Sequence, residues 1–130
     1  MSTTSSGTGW MIEHVDAVPP VKPDWPATWK SIRHHFNITS FGINAVTKEE
    51  GNVLIPEHDE IESGQQELYF VHKGECSVTL NGEQLTAPEG SVVSVEPATR
   101  RKFEAAASPT TLLVIGATPG RAYEIGEWER

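Results

Sequence analysis

The chain has 130 residues, with 18 acidic and 10 basic side chains and a formal net charge of −8. This length fits one domain with one hydrophobic core, and the negative charge argues against nucleic acid or an anionic membrane surface as partner. A single cysteine, Cys76, excludes an internal disulfide. No apolar run approaches the roughly 18 residues of a membrane-spanning helix, and no basic, apolar leader is present. The sequence therefore predicts a cytoplasmic protein.

Two N-terminal segments precede the main body of the sequence. Residues 1–9 contain only Ser, Thr and Gly after the Met, a composition that predicts a disordered tail. Residues 10–28 combine Trp10 and Trp25 with prolines at 19, 20, 23 and 26. Proline at this density interrupts helices and central strands, so we expect an extended segment that packs on the domain formed by residues 29–130.

From residue 29 onward the pattern indicates β-structure, because short runs of Val, Ile, Thr and aromatic residues alternate with turn residues. Cys76, Val78 and Leu80 alternate with polar residues and predict one buried face. Asn81-Gly82 predicts a type I′ hairpin turn. The predicted fold is all-β, a small antiparallel β-barrel or sandwich. The predicted strands are 29–35, 38–47, 52–56, 67–73, 75–80, 83–87, 91–96, 100–106, 110–117 and 121–125.

The most informative stretch is HDEIESGQQELYFVHKG, which runs from His58 to Gly74. An acidic loop leads directly into a hydrophobic strand that begins with Glu67. Desolvating a carboxylate at the head of a core strand costs free energy unless the group is paired or ligated. By alternation, Glu67, Tyr69 and Val71 share one face of this strand.

This stretch resembles the first motif of the cupin superfamily, G-x5-H-x-H-x3,4-E-x6-G, with matches at Gly51, His58, Glu67 and Gly74. The sequence GSVVSV from residue 90 is similar to the start of the second cupin motif, G-x5-P-x-G-x2-H-x3-N. The resemblance covers about residues 38–117. It implies an antiparallel barrel of the double-stranded jelly-roll type, usually dimeric, with a ligand cavity at its mouth.

Departures from the family motifs bear on the metal that many cupins bind. Glu60 stands where the first motif has its second histidine, and Arg101 stands where the second motif has its histidine. A guanidinium is permanently charged and cannot ligate a metal. We therefore expect no cofactor. The alternative is a divalent ion such as Fe or Mn held by His58, Glu60 and Glu67.

The same resemblance suggests roles for individual side chains. Arg101 would either pair with Glu67 or anchor a carboxylate or phosphate of a ligand. His58 and Glu67 are the candidates for catalytic proton transfer. Tyr69 would hydrogen-bond either the ligand or Glu67, and Glu60 is a further candidate for ligand binding.

Three functions remain open at this point. The first is a metal-independent isomerase, cyclase or dehydratase that binds a small, anionic metabolite. The second is a binding protein without catalysis. The third is a metal-dependent cupin oxygenase that uses His58, Glu60 and Glu67. In each case the expected partners are a small molecule and a second copy of the chain, because exposed sheet edges need covering.

Overall fold

The computed structural model describes residues 5–8, 10–12, 15–21 and 28–124. Its secondary structure is mainly antiparallel β-strand, with a short 3-10 helix at Val15–Ala17 and a four-residue helix α1 at Ile32–His35. The strands are β1 (Ser5–Gly7), β2 (Trp10–Ile12), β3 (Thr28–Ser31), β4 (Gly42–Lys48), β5 (Val53–His58), β6 (Gln66–Lys73), β7 (Glu75–Leu80), β8 (Glu83–Pro88), β9 (Val92–Val95), β10 (Arg101–Ala105) and β11 (Thr110–Ala117).

Two sheets pack against each other. One has five strands in the order β3-β4-β11-β6-β9, and the other has four in the order β5-β10-β7-β8. The prediction of an all-β, jelly-roll fold is confirmed. Closure into a barrel is not observed, because no strand of the described residues pairs with members of both sheets. The arrangement is a jelly-roll-like sandwich whose sheets meet through side chains rather than backbone hydrogen bonds.

The core follows from the period-2 alternation of the strands. The predicted buried face of β7 is confirmed, since Cys76 and Val78 are fully buried and Leu80 packs against the core. Tyr69 of β6 stacks on Phe103 of β10, with ring centroids 4.3 Å apart, and so joins the two sheets. The buried apolar cluster consists of Val46, Leu54, Ile55, Tyr69, Val71, Cys76, Val78, Ala87, Val95, Phe103, Ala105, Leu112 and Val114.

The hairpin between β7 and β8 has the predicted turn. Asn81 and Gly82 have φ angles of 48° and 83°, and a type I′ turn needs positive φ at both central positions. This turn sets the register in which Leu80 pairs with Glu83 and Cys76 with Ala87. The register keeps Cys76, Val78 and Ala87 on the core side.

One predicted strand is too long, and another is absent from the described residues. The strand predicted at 29–35 ends at Ser31, because the Ser31 hydroxyl accepts a hydrogen bond from His34 N (3.2 Å) and caps α1. The strand predicted at 121–125 is absent from residues 121–124, which follow a turn at Gly120 (φ 71°). Residue 125 lies outside the described residues.

The N-terminal segments differ in part from expectation. Ser5–Gly7 pairs with Trp10–Ile12 as a short hairpin, whereas residues 1–9 were expected to be disordered; residues 1–4 and 9 lie outside the described residues. In the next segment, Val18 is buried and Lys30 Nζ donates to the carbonyl oxygen of Asp16 (3.0 Å). The Asp16 carbonyl oxygen therefore lies beside Lys30 of β3, while packing of the whole segment 10–28 on the domain stays a prediction. None of the helices among the described residues is long and apolar enough to cross a membrane.

Candidate functional site

A cavity of about 580 Å³ opens at one end of the sandwich. Its walls come from both sheets, from the loop after β5 and from the segment after β11. The side chains around it are mainly polar or aromatic, in contrast to the apolar core beneath. The lining residues are Trp29, Asn44, Ile55, Pro56, His58, Glu60, Gln65, Glu67, Val114 and Tyr123.

Glu67 lies on the inner face of β6, as the alternation predicts. Leu68 is 38% exposed on the outer face, whereas Tyr69 and Val71 are fully buried. The Glu67 side chain keeps 10% of its exposure, and Tyr69 donates its hydroxyl hydrogen to Glu67 Oε1. The sequence analysis left two hydrogen-bond partners open for the Tyr69 hydroxyl, the ligand and Glu67, and the structure shows the bond to Glu67.

Burial raises the pKa of Glu67 above its ordinary value, and the nearby Glu60 carboxylate raises it further. The hydrogen bond from Tyr69 and the positive charge of Arg101 act in the opposite direction without cancelling the rise. The pKa of Tyr69 is also raised, first by burial and then by the adjacent Glu67 charge. Tyr69 therefore remains a hydrogen-bond donor to Glu67 at neutral pH.

Arg101 begins β10 and lies next to Glu67. Its Nη1 is 3.6 Å from Glu67 Oε1, its Nη2 donates to the carbonyl oxygen of Glu96 (2.9 Å), and the side chain is fully buried. Arg101 is not among the residues that line the cavity. The structure thus forms the Glu67–Arg101 ion pair that the sequence left open, while direct contact between Arg101 and a ligand stays a prediction.

His58 ends β5 at the rim of the cavity. Its Nδ1 donates to the carbonyl oxygen of Pro56 (2.9 Å), and its Nε2 lies 2.9 Å from Glu60 Oε2. The backbone acceptor fixes the orientation of the ring, so that Nε2 faces the carboxylates. The predicted catalytic and ligand-binding side chains His58, Glu60 and Glu67 are therefore brought together.

These three residues each place one donor atom within 4.8 Å of the others. One imidazole nitrogen and two carboxylates suit a divalent ion such as Mn²⁺ or Fe²⁺. Two features weaken such a site: the Arg101 guanidinium lies 3.6 Å from Glu67 Oε1, and the Tyr69 hydroxyl occupies the same oxygen. The donors fit an ion, although a fixed positive charge opposes it.

Several lining residues escaped the sequence analysis, namely Trp29, Asn44, Gln65 and Tyr123. Asn44 could have been recognised from the sequence, because a polar residue on the inner face of a core strand normally needs a hydrogen-bond partner. Tyr123 reaches the cavity over Gly42, where an added Cβ would lie 2.5 Å from the Tyr123 hydroxyl. No local pattern links Tyr123 with Gly42.

Comparison with known proteins establishes the family. Residues 49–116, just over half of the chain, match the family described as Cupin domain. The chain therefore belongs to the cupin family. No curated protein matches the sequence.

Solved structures agree with this fold. A cupin protein from Bacteroides fragilis is 16% identical, with a TM-score of 0.64 over 84% of this chain and 92% of that chain. A protein described as a sugar phosphate isomerase from a cupin superfamily, from Silicibacter pomeroyi, is 19% identical, with a TM-score of 0.67 over 82% of this chain and 75% of that chain. KdgF from a Halomonas species is 18% identical, with a TM-score of 0.61 over 77% of this chain and 86% of that chain.

Proposed function

We propose that this cupin binds a small molecule in its cavity and transfers a proton on it, with His58 and Glu67 as the catalytic residues. The supporting observation is that donor atoms of His58, Glu60 and Glu67 lie within 4.8 Å of one another at the cavity wall. Isomerases, cyclases and dehydratases take a proton from one position and return it to another, so two adjacent acid–base groups suit such reactions.

Each residue of the cluster has a distinct proposed role. His58 Nε2 is the atom that exchanges a proton with the ligand, with the ring held at Nδ1 by the Pro56 carbonyl oxygen. Glu60 Oε2 holds His58 Nε2 at 2.9 Å in the free protein, so a ligand must displace Glu60 before Nε2 can accept a proton. Glu67 is the second proton-transfer group, because its raised pKa makes this carboxylate easier to protonate than an ordinary glutamate. Tyr69 and Arg101 are positioning residues that act through Glu67.

Hydrogen–deuterium exchange tests this proposal. Wild-type protein is incubated in D₂O with a panel of small sugars, keto acids and hydroxy acids, and proton NMR follows the loss of C–H signals. We expect protein-dependent exchange on at least one compound, reduced about 100-fold or more in His58→Ala. His34→Ala is the matched control, because His34 is an exposed side chain on α1. Equal exchange by wild type and His58→Ala would contradict the proposal.

Binding without catalysis is the plainer alternative for the same cavity. A compound that raises the melting temperature and yet shows no exchange or conversion would select it. In that case we expect the stabilisation by the compound to fall in Glu60→Gln as well as in His58→Ala, because both side chains line the cavity.

A metal-dependent cupin, such as an oxygenase, is the second candidate, favoured by the three converging donors. A divalent ion would be held by His58, Glu60 and Glu67, and would supply a Lewis acid or redox centre. The close Arg101 charge makes this the less favoured candidate. Bound metal that disappears in His58→Ala would select it.

An anionic metabolite anchored by Arg101 is a narrower form of the first proposal. Because the Arg101 side chain is fully buried and paired with Glu67, an anion could reach the guanidinium only if Glu67 moved away. Loss of anion binding in Arg101→Ala, with binding retained in Arg100→Ala, would support this form. Arg100 is a suitable control because it is half exposed and pairs with Glu57 and Asp59 on the surface.

A homodimer is the assembly that we propose. Support comes from the outer face of the five-stranded sheet, where Leu68 is 38% exposed and Val92 is 59% exposed. Apolar side chains grouped on one face are typical of interfaces. We expect the wild type to sediment as a dimer and Val92→Glu as a monomer, whereas a monomeric wild type would contradict this.

A further inference from the structure

Asn44 is a buried amide whose side-chain oxygen is not hydrogen-bonded within the described residues. It lies on the inner face of β4, between its cross-strand neighbours Ser31 and Val114. Its exposed fraction is 8%, and its side-chain oxygen Oδ1 has no hydrogen-bond partner among the residues that the structure describes. Buried amide oxygens nearly always have a partner, so this one calls for an explanation.

The position of Asn44 in the cavity explains why its side-chain oxygen is unpaired. Asn44 lines the same cavity as His58, Glu60 and Glu67: Asn44 and Glu67 lie on the five-stranded sheet, and His58 lies on the four-stranded sheet. An unpaired acceptor destabilises the free protein. A ligand that donates a hydrogen bond to the Asn44 carboxamide would remove that cost upon binding.

The other polar groups around the cavity point to the same kind of ligand. The acidic side chains Glu60 and Glu67 line it, and no lysine or arginine occurs among its described lining residues. The nearby Arg101 does not line the cavity: it forms an ion pair with Glu67 and donates from Nη2 to the Glu96 carbonyl oxygen, while its Nε and Nη1 have no hydrogen-bond partner among the described residues. Two carboxylates on the cavity wall, without a lysine or arginine beside them, favour ligands that carry N–H or O–H donors and disfavour carboxylates and phosphates.

Aromatic side chains complete the enclosure. Trp29 and Tyr123 both line the cavity. An indole face packs well against the C–H groups of a polyol, and it attracts an ammonium group through its ring quadrupole. Both interactions suit a donor-rich ligand, and neither offers anything to an isolated anion.

We infer that Asn44 is a ligand-binding residue, and that the cavity takes a small donor-rich molecule, a polyol or an amine, rather than an anionic metabolite. This inference rests on the proposed function and specifies the ligand class of that same site. Asn44 fixes one donor of the ligand on the five-stranded sheet. Glu67 lies on the same sheet, and His58 faces the ligand from the four-stranded sheet.

The test uses Asn44→Leu, which keeps the branched shape of the side chain and removes its hydrogen-bonding groups. Asn44→Ala serves as a second variant in case the larger side chain disturbs folding, which circular dichroism reports. Thr47→Val is the matched control, because Thr47 lies on the same strand, bonds Thr111 (2.9 Å between hydroxyl oxygens) and does not line the cavity.

Stability of the free protein gives the first readout. Replacing an unpaired buried amide with an apolar side chain removes its desolvation cost, so we expect Asn44→Leu to raise the melting temperature by about 2 °C or more. Thr47→Val loses a hydrogen bond and is expected to lower it. A purely structural asparagine would instead lower the melting temperature on replacement.

Ligand binding gives the second readout, by calorimetry with four probes. Xylitol represents neutral polyol ligands and glucosamine represents amine ligands. Gluconate and glucose 6-phosphate represent anionic ligands. We expect wild-type protein to bind xylitol or glucosamine in preference to both anions. We expect Asn44→Leu or Asn44→Ala to weaken that binding roughly 3- to 10-fold, the effect of one lost hydrogen bond, and Thr47→Val to leave it unchanged.

Three results would overturn the inference. One is preferential binding of the anions by wild-type protein. If that binding were lost in His58→Ala, the ligand class would be wrong while the proposed function would stand. Another is equal affinity of wild type and both Asn44 variants for the preferred donor-rich probe. The third is no binding of xylitol or glucosamine up to about 10 mM, a concentration that detects even weak sites. Failure of the proposed function itself is read separately, from proton exchange in the wild type and His58→Ala.

Discussion

The two ends of the space between the sheets are built from different kinds of side chain. At one end, Val71, Leu112 and Phe103 are fully buried and apolar, and strand alternation alone accounts for their packing. At the other end, Glu67 and Arg101 lie on the same strands as this apolar packing and are nearly as buried. One end supplies the stability, which allows the other to carry polar groups whose partners are incomplete.

This division explains why the cavity end is the place to look for function. A fold tolerates buried polar groups only if they are paired or if a ligand completes them. Arg101 Nε and Nη1 have no hydrogen-bond partner among the described residues, and neither has Asn44 Oδ1. All of these atoms lie at the cavity end.

The largest expected effect concerns the packed end. Phe103→Ala removes a fully buried ring that stacks on Tyr69, and we expect it to reduce the free energy of unfolding by about 4 kcal/mol. Urea denaturation measures this. The control is Leu85→Ala, because Leu85 is 44% exposed on β8, and it should cost less than about 1 kcal/mol. Similar losses for the two variants would contradict the division into two ends.

Breaking the ion pair at the cavity end should have the next largest effect. Arg101→Met leaves the Glu67 carboxylate without its cation, and we expect a loss of about 3 kcal/mol in unfolding free energy at neutral pH. The double variant Arg101→Met/Glu67→Gln should recover much of that loss, because it removes both charges. Additive losses in this double-mutant cycle would show that the two side chains do not interact.

Glu67→Gln should then reveal the pH dependence of the same group. The pKa of Glu67 in the folded protein lies above the ordinary 4.5. Its protonation therefore contributes stability that is fully present below pH 4.5 and is lost as the pH rises through the folded-state pKa. Glutamine does not titrate. We expect the stability of wild type relative to Glu67→Gln to fall as the pH rises above 4.5, measured by urea denaturation, whereas a rise would contradict the assigned direction.

The smallest expected effect concerns the reactivity of the Cys76 thiol at the packed end. Burial raises the pKa of Cys76 to about 11, and the side chain is fully buried, so the reactive thiolate is scarce and inaccessible. We expect a thiol reagent at about pH 8 to react at least 100-fold more slowly with native protein than with protein in urea. Comparable rates would mean that this end opens readily.

The packed end was predictable from the sequence because strand alternation and turn formation depend on residues that are close together in the chain. Alternation identified the buried face of β7 and the orientation of Glu67 and Tyr69, and Asn81-Gly82 identified the turn. The error at residues 32–35 had a local cause as well, since Ser31 acts as a helix cap. Capping was overlooked because His34 and His35 were assigned to a strand.

The cavity end was predictable only in part. Resemblance to the cupin motifs brought His58, Glu60, Glu67 and Arg101 together, because the motifs encode contacts between distant strands. The contribution of Asn44 and Tyr123 depends on tertiary contacts without a sequence pattern. The direction of Arg101, toward Glu67 and away from the cavity, required the register of β10 with β5.

Metal analysis of purified protein tests the central claim most directly, since that claim is that the His58–Glu60–Glu67 cluster works with protons rather than with a metal. Wild type, His58→Ala and the control His34→Ala are compared by elemental analysis after purification without chelators. We expect all three to hold less than about 0.1 equivalent of Mn, Fe, Ni or Zn per chain, a level at which no tight site is filled. Near-stoichiometric metal in wild type and His34→Ala that is missing from His58→Ala would contradict the claim.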